Sequence, residues 1–218
     1  GVLFWDTILR ESVPDCYADL GYRTVSTNPC GEIPLCPYDS CRLLAINLYS
    51  YVVNPFKPDA YFDFELFKKH VALAQRIMDD IIDLELEKIE RIQEKIDSDP
   101  ECEDVKHTER TLWEKIYRKS GQGRRTGVGI TAEGDMLAAM GLRYGTEEAT
   151  SFSEQVHRTI ALEAYRSSVQ MAKERGAFEI YDTGREKDNP FINRLREADP
   201  GLYEDMKKYG RRNIACLT

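Results

Sequence analysis

The sequence predicts a helix-rich α/β fold, and three observations carry that prediction. Short apolar or alternating runs at Tyr22–Thr27, Cys41–Tyr51, Thr126–Ile130 and Arg212–Thr218 have the length and composition of strands. Between them lie long stretches with apolar residues at helical intervals: Phe67, Val71, Ala74, Met78, Ile82, Leu86, Ile89 and Ile96, then Phe152, Val156, Ile160, Ala164, Val169 and Ala172. No internal repeat or low-complexity linker divides the 218 residues, and 42% hydrophobic residues can supply one packed core. Strands alternating with helices argue for a largely parallel sheet or barrel, with helix dominant by residue count. The whole chain, 1–218, is expected to be one partial domain.

Taken in order, Trp5, Ile8, Leu9 and Val13 predict a short helix that Pro14-Asp15 breaks. Tyr22–Thr27 leads into an unusual stretch, Asn28-Pro29-Cys30-Gly31-Glu32-Ile33-Pro34, which is expected to join two strands as a rigid finger. Phe64 to about Ile96 predicts one or two amphipathic helices. Their outer half is charged, and a second charged helix, roughly Val105 to Lys119, returns from it. Residues 84–119 are therefore expected to form a solvated helical projection. Gly121, Gly123, Gly127 and Gly129 with Arg124 and Arg125 suggest a phosphate cradle, but the glycine spacing fits neither a dinucleotide nor a P-loop motif. A loop into a buried strand, Thr126–Ile130, with Thr131 capping the next helix, is preferred. Thr146 opens a long helix that Gly176 ends. Ala177–Tyr181 reads as a short strand, Asn189-Pro190 and Asp199-Pro200 as two helix starts, and Gly210 as the last stop.

The formal net charge of −8 argues against nucleic-acid or anionic-membrane partners, because phosphate attraction rests on clustered Lys and Arg. The composition is that of a soluble globular protein. The start lacks a secretory signal, and a first residue other than Met suggests a piece of something longer. Six cysteines, at 16, 30, 36, 41, 102 and 216, follow no disulfide framework. Reduced cytoplasmic thiols are the expected state, and catalytic roles outrank structural ones. The gaps between Cys16, Cys30, Cys36 and Cys41 fit none of the usual paired zinc spacings, so no metal site is assigned.

If the finger is extended, Asn28, Cys30 and Glu32 alternate onto one face, grouping an amide, a thiol and a carboxylate. Pro29 stiffens the chain before the thiol and Gly31 lets it bend after. No His, Lys or Arg stands beside Cys30 in sequence to draw out a thiolate, and Glu32 works against one. A protonated thiol is a poor nucleophile but a good hydrogen-atom donor. Its sulfur radical can take hydrogen from a carbon bearing a hydroxyl, and Glu32 could deprotonate that hydroxyl.

Asn28-Pro29-Cys30-Gly31-Glu32-Ile33-Pro34-Leu35 resembles the active-site finger of the ribonucleotide reductase large subunit, most closely the adenosylcobalamin-dependent class II enzymes. Cys41-Arg42-Leu43-Leu44-Ala45-Ile46-Asn47-Leu48, Arg125-Thr126-Gly127-Val128-Gly129-Ile130 with Asp135-Met136-Leu137, and Arg212-Asn213-Ile214-Ala215-Cys216-Leu217-Thr218 resemble further family segments in the same order. The resemblance implies a ten-stranded α/β barrel with the finger at its centre, of which this chain supplies a part. It implies that Cys30 becomes the thiyl radical, that Glu32 is the base at the ribose 3′ hydroxyl, and that Asn28 binds substrate. Cys41 would belong to the redox pair, its partner lying in an earlier strand. The implied cofactor is adenosylcobalamin, and the implied partners are a ribonucleotide substrate, a dithiol reductant such as thioredoxin, a nucleotide effector and a second copy in a homodimer. Alone, the piece is expected to be inactive. The competing readings are a glycyl-radical enzyme and a non-catalytic zinc or redox-sensing module.

Overall fold

A computed structural model describes residues 2–40 and 42–218. Its longest element, α2 (Phe64–Ser98), is a single helix capped by Asp63, whose Oδ1 accepts from the Leu66 amide at 2.9 Å. Before it come α1 (Trp5–Glu11), a 3-10 helix (Pro14–Leu20), β1 (Ser26–Thr27), β2 (Pro34–Leu35), β3 (Leu43–Asn47), a second 3-10 helix (Leu48–Tyr51), β4 (Val52–Val53) and β5 (Tyr61–Phe62). After it come α3 (Glu103–Gly123), β6 (Gly127–Thr131), α4 (Glu133–Ala139), α5 (Glu147–Arg175), α6 (Thr183–Glu186), α7 (Pro190–Ala198) and α8 (Pro200–Tyr209). Thr146, Asn189 and Asp199 cap α5, α7 and α8 as their side-chain chemistry predicts, with proline opening the last two.

The parallel sheet is small. β3 pairs in parallel with β6, Leu43 facing Gly127 and Asn47 facing Thr131, and a bridge from Val128 to Leu217 adds the chain's last residues to the far edge. The other two ladders, β1–β2 and β4–β5, are antiparallel pairs of two residues per strand. The fold is therefore helix-rich α/β, and among the described residues no closed barrel forms. α2 and α5 pack against each other, with Phe67, Val71, Met78, Val156, Ile160 and Val169 in one core with Ile46 and Val128. The period-3.6 stripes read from the sequence are the buried ones, except that Leu86 and Phe152 are only half-buried.

Several local expectations are corrected. Of Tyr22–Thr27 only Ser26 and Thr27 are in a ladder, because Thr24 gives both its amide and its hydroxyl to Asp15 (2.9 and 2.5 Å). α3 runs through to Gly123, so the glycine-rich stretch is helix before it is loop. Arg124 then ends it in the left-handed region (φ 48°). Thr131 is the last residue of β6 and caps nothing; Ala132, at φ 60°, precedes α4 without a side-chain cap. Ala177–Tyr181 forms no strand, although the Phe178 amide still donates to the Arg211 carbonyl at 3.0 Å. Arg212–Thr218 makes one bridge, through the bonds from Val128 to Cys216 and from Thr218 to Val128, and three further backbone bonds, from Thr126 to Ala215, from Ile214 to Gly123 and from Arg212 to Ser168.

Residues 84–119 form the outer half of α2 and most of α3, which return alongside one another with Ile89 and Ile96 buried. Tyr117 donates to Glu90 at 2.8 Å and Arg110 pairs with Asp97 at 2.5 Å across the two helices. At their inner end a buried polar hub joins four segments. Asp79 of α2 takes Arg124 at 2.8 Å and the Asn213 amide at 3.0 Å, while the Asn213 carbonyl oxygen accepts from Gln75 (2.9 Å) and Ser168 (2.8 Å). Asp79 Oδ2 accepts from Arg212 at 3.2 Å, so both carboxylate oxygens of Asp79 and the side-chain oxygen of Asn213 are satisfied within the core.

Candidate active site

The finger is a tight turn, not an extended segment. The Gly31 amide donates to the Asn28 carbonyl at 3.1 Å, which makes Asn28 to Gly31 a β-turn with Pro29 and Cys30 at its corner. Asparagine first, proline second and glycine fourth are the side chains such a turn favours, and the left-handed residue is Gly31 (φ 81°), not Cys30. The expectation that Asn28, Cys30 and Glu32 alternate along a strand is thus corrected, since the turn reverses the chain between them. They still share one loop tip.

Asn28 is committed to that loop. Its Oδ1 accepts from the Ile33 amide at 3.0 Å while its own amide donates to the Ile33 carbonyl at 3.1 Å, so the side chain closes the loop. Cys30 and Glu32 stand exposed at the tip, while Ile33 is buried beneath them. Ile33 reaches β6 because Gly127 has no side chain: a Cβ there would lie 3.2 Å from Ile33 Cδ1, 3.0 Å from the Arg42 carbonyl and 2.9 Å from Thr218 Cγ2. Cys41 lies outside the described residues.

The two sides of the hairpin are tied to different parts of the chain. Asp15 holds Thr24 on the outgoing side, and Lys119 of α3 donates to the Gly21 carbonyl at 2.8 Å and lies 3.8 Å from the centre of the Tyr22 ring. On the return side the buried Arg125 guanidinium donates to the Pro34 carbonyl and lies 3.2 Å from the Asp39 carboxylate. Arg42, next to Cys41, donates to the Arg125 carbonyl at 2.9 Å and to Ser120 Oγ at 2.7 Å, and pairs with Glu85 of α2. None of Asp15, Asp39, Arg42 or Arg125 was assigned a part in the site from sequence. Arg42 and Arg125 stood in segments that resemble the family, and Arg124-Arg125 in a phosphate motif that failed its spacing, but neither context gave them a role.

Cys36 and Cys216 are buried and Cys16 is half-buried. Burial, then the Asp39 charge, pushes Cys36 up to about 12, and burial, then Glu186, pushes Cys16 up to about 11. Among the described residues Cys16, Cys30 and Cys36 do not gather with other metal-binding side chains. The acidic trio that does gather, Asp79, Asp80 and Asp83, is paired with Arg124 and Arg175. A cleft of about 210 Å³ runs beside the finger base, lined by Ser12, Ile33, Pro34, Arg125, Leu217 and Thr218. A larger one of about 410 Å³, between α5 and α7, does not touch the finger. Chemically, the tip carries an exposed thiol and, two residues on, an exposed carboxylate.

Residues 2–218 match the family model described as ribonucleotide reductase, barrel domain. The chain is 33% identical over 178 residues to a vitamin B12-dependent ribonucleoside-diphosphate reductase of Thermoplasma acidophilum, which covers 82% of this chain and 19% of that protein. It is 30% identical over 186 residues to one of Mycobacterium tuberculosis (85% and 22%), and 28% identical over 214 residues to a ribonucleoside-diphosphate reductase subunit alpha of Chlamydia pneumoniae (88% and 18%). The chain spans about a fifth of the length of these relatives. With a matched barrel-domain model across nearly all its residues, the chain belongs to the ribonucleotide reductase barrel-domain family.

Proposed function

We propose that this chain is the catalytic-core part of an adenosylcobalamin-dependent ribonucleotide reductase that converts ribonucleoside diphosphates to deoxyribonucleoside diphosphates. The observation that carries the reading is the exposed Cys30 at the corner of the Asn28–Gly31 turn, with Glu32 exposed beside it and the hairpin fixed to the core below. The complete enzyme closes a ten-stranded barrel around this finger, with β3, β6 and the Leu217 segment as neighbouring strands.

Adenosylcobalamin, when bound, supplies a radical able to remove a hydrogen atom from a thiol. The residues here fit that demand on one point of geometry: no protein group caps the Cys30 side chain among the described hydrogen bonds, and the turn presents it outward. The Cys30 sulfur radical takes the hydrogen from ribose C3′, re-forming S–H and leaving the unpaired electron on carbon. Glu32 accepts the 3′ hydroxyl proton, and the C2′–O bond breaks with loss of the oxygen as water. Two electrons and two protons come from a thiol pair that ends as a disulfide, Glu32 returns the proton to the 3′ oxygen, and Cys30 returns its hydrogen to C3′, which regenerates the sulfur radical. Cys41 is one thiol of that pair; the other belongs to an earlier strand of the complete enzyme. A dithiol such as thioredoxin restores the pair. Asn28 acts first as the loop's own brace, with its Nδ2 left to meet substrate. The enzyme works in the cytoplasm, where thiols stay reduced, as a homodimer under a nucleotide effector.

The test is Cys30→Ala in the complete enzyme, assayed for deoxyribonucleotide formation with adenosylcobalamin and a dithiol. Loss of all measurable product is expected. Full turnover by the variant would reject the assignment.

A further inference from the structure

The proposed chemistry needs the sulfur of Cys30 held to a fraction of an ångström, yet the hairpin beneath it has only two ladder pairs, Ser26 with Leu35 and Thr27 with Pro34. Within the loop the bonds between Asn28, Gly31 and Ile33 make the tip one rigid body, but they do not fix that body to the rest of the fold. Something must hold the hairpin's return side.

We infer that Arg125 is the positioning residue of the finger, acting on Cys30 through the Pro34 carbonyl and the Asp39 carboxylate. The inference rests on Cys30 being the radical thiol. Arg125 is 4% exposed, and its Nη1 serves two acceptors on either side of the return segment: the carbonyl of Pro34, four residues from Cys30, and Asp39. The directed bond goes to the backbone. Asp39 Oδ2 lies within ion-pair distance of the same nitrogen without hydrogen-bond alignment, and Arg125 Nε has no partner. An arginine serving only its carboxylate would align with it in a fork; this one is turned toward the finger. Its own carbonyl accepts from Arg42, which adjoins Cys41 and is anchored by Ser120 and Glu85 on the two long helices. One buried residue therefore sets the radical thiol and Arg42, just before β3, in a common frame, and the long helices hold the frame.

Arg125 touches no reacting atom, so its removal should spoil alignment and leave substrate binding alone. In the complete enzyme with adenosylcobalamin and a dithiol, Arg125→Lys keeps the positive charge beside Asp39 but cannot reproduce the reach of the guanidinium to Pro34. Its kcat is expected to fall by about tenfold to a hundredfold, with KM for the ribonucleoside diphosphate within about twofold of the parent. Amide hydrogen exchange should quicken at Val25 and Asp39, whose amides donate to the Leu35 and Cys36 carbonyls of the return segment, and stay unchanged at Asp63, whose amide donates to the Tyr51 carbonyl. The double variant Arg125→Gln with Asp39→Asn leaves no buried charge unpaired and should show the same kcat loss. An unchanged kcat in either variant overturns the inference, as does a loss spread equally over kcat, KM and exchange at Asp63. Cys30→Ser measured alongside separates the two claims. Turnover by that variant would reject the radical-thiol reading, whereas the exchange at Val25 and Asp39 reports on Arg125 whatever Cys30 does.

Discussion

Glu186→Gln tests the buried pair that fastens the ends of the chain together. Glu186 is 2% exposed and Arg211 is fully buried. Glu186 Oε1 accepts from Arg211 Nη2 at 2.7 Å and from the Tyr17 hydroxyl at 2.6 Å, and Oε2 accepts from Arg211 Nη1 at 2.5 Å. Glutamine removes the charge and points an N–H at a guanidinium or phenol that also needs an acceptor. Breaking one partner of a buried pair costs about 3–5 kcal/mol. The lower end applies, because Arg211 keeps the Asn213 and Ile214 carbonyls, each at 3.0 Å, and glutamine keeps one acceptor oxygen. At roughly 2–4 °C per kcal/mol for a chain of this size, about 3 kcal/mol lowers Tm by about 6–12 °C. Circular dichroism melts of the chain, with urea titrations showing an unchanged slope, measure this. The double variant Glu186→Leu with Arg211→Met should recover much of the loss, since it removes both charges. A single-variant shift under about 2 °C would refute the reasoning, as it would mean that the guanidinium finds water or another acceptor at no cost.

Two further outcomes follow from the geometry. Alkylation of the native chain at pH 8 should modify the exposed Cys30 and Cys102 first, with Cys36 and Cys216, each pushed up to about 12 by burial, protected and Cys16 reacting only as pH climbs toward about 11. Mass mapping of the labelled sites checks it, and labelling of Cys36 or Cys216 as fast as Cys102 in the folded chain would contradict it. Gly127→Ala should destabilise by about 1–3 kcal/mol, because the new Cβ meets the Arg42 backbone oxygen, which cannot swing aside. Gly134→Ala, in α4 with nothing within 4 Å, should instead stabilise by about 0.5–1 kcal/mol. Urea midpoints of the two variants moving the same way would show that the contact at Gly127 is slack.

The long helices were legible because burial on one face leaves a periodic record: Phe67, Val71, Ala74, Met78 and Ile82 are all buried, and Asp63, Thr146, Asn189 and Asp199 cap as such side chains do. The short strands were less so. Tyr22–Thr27 alternates as a strand should, but Asp15 takes the Thr24 amide and hydroxyl, and a side chain nine residues away cannot be read from a local pattern. Thr131 looked like a cap because its chemistry is right for one, yet parallel pairing with Asn47 holds it in the sheet and leaves Ala132 to turn the corner at φ 60°. Ala177–Tyr181 failed as a strand for a related reason. Its aromatic residues pack around Arg211 rather than along a neighbouring strand, with Phe178 and Tyr181 ring centres 5.4 and 5.6 Å from the guanidinium.

The finger shows the same division between local and long-range information, and it bears on how such a site is built. Asn28, Pro29 and Gly31 specify the turn by themselves, so the residues that shape the tip are its immediate neighbours and a motif of a few letters identifies it. What holds the tip in place is remote. Asp15, Lys119, Arg125 and Arg42 come from a 3-10 helix, from α3, from the segment before β6 and from the lead into β3. Each meets the hairpin or its tether through a backbone carbonyl or a side chain at its base. A carbonyl is present at every position, so such anchors place no constraint on the finger's own side chains and leave no trace in its motif. On the proposed roles, the orientation of the Cys30 thiol is encoded almost wholly outside the finger's own sequence, and substitutions at Arg125 or Asp39 are expected to alter it while leaving the finger's eight letters intact.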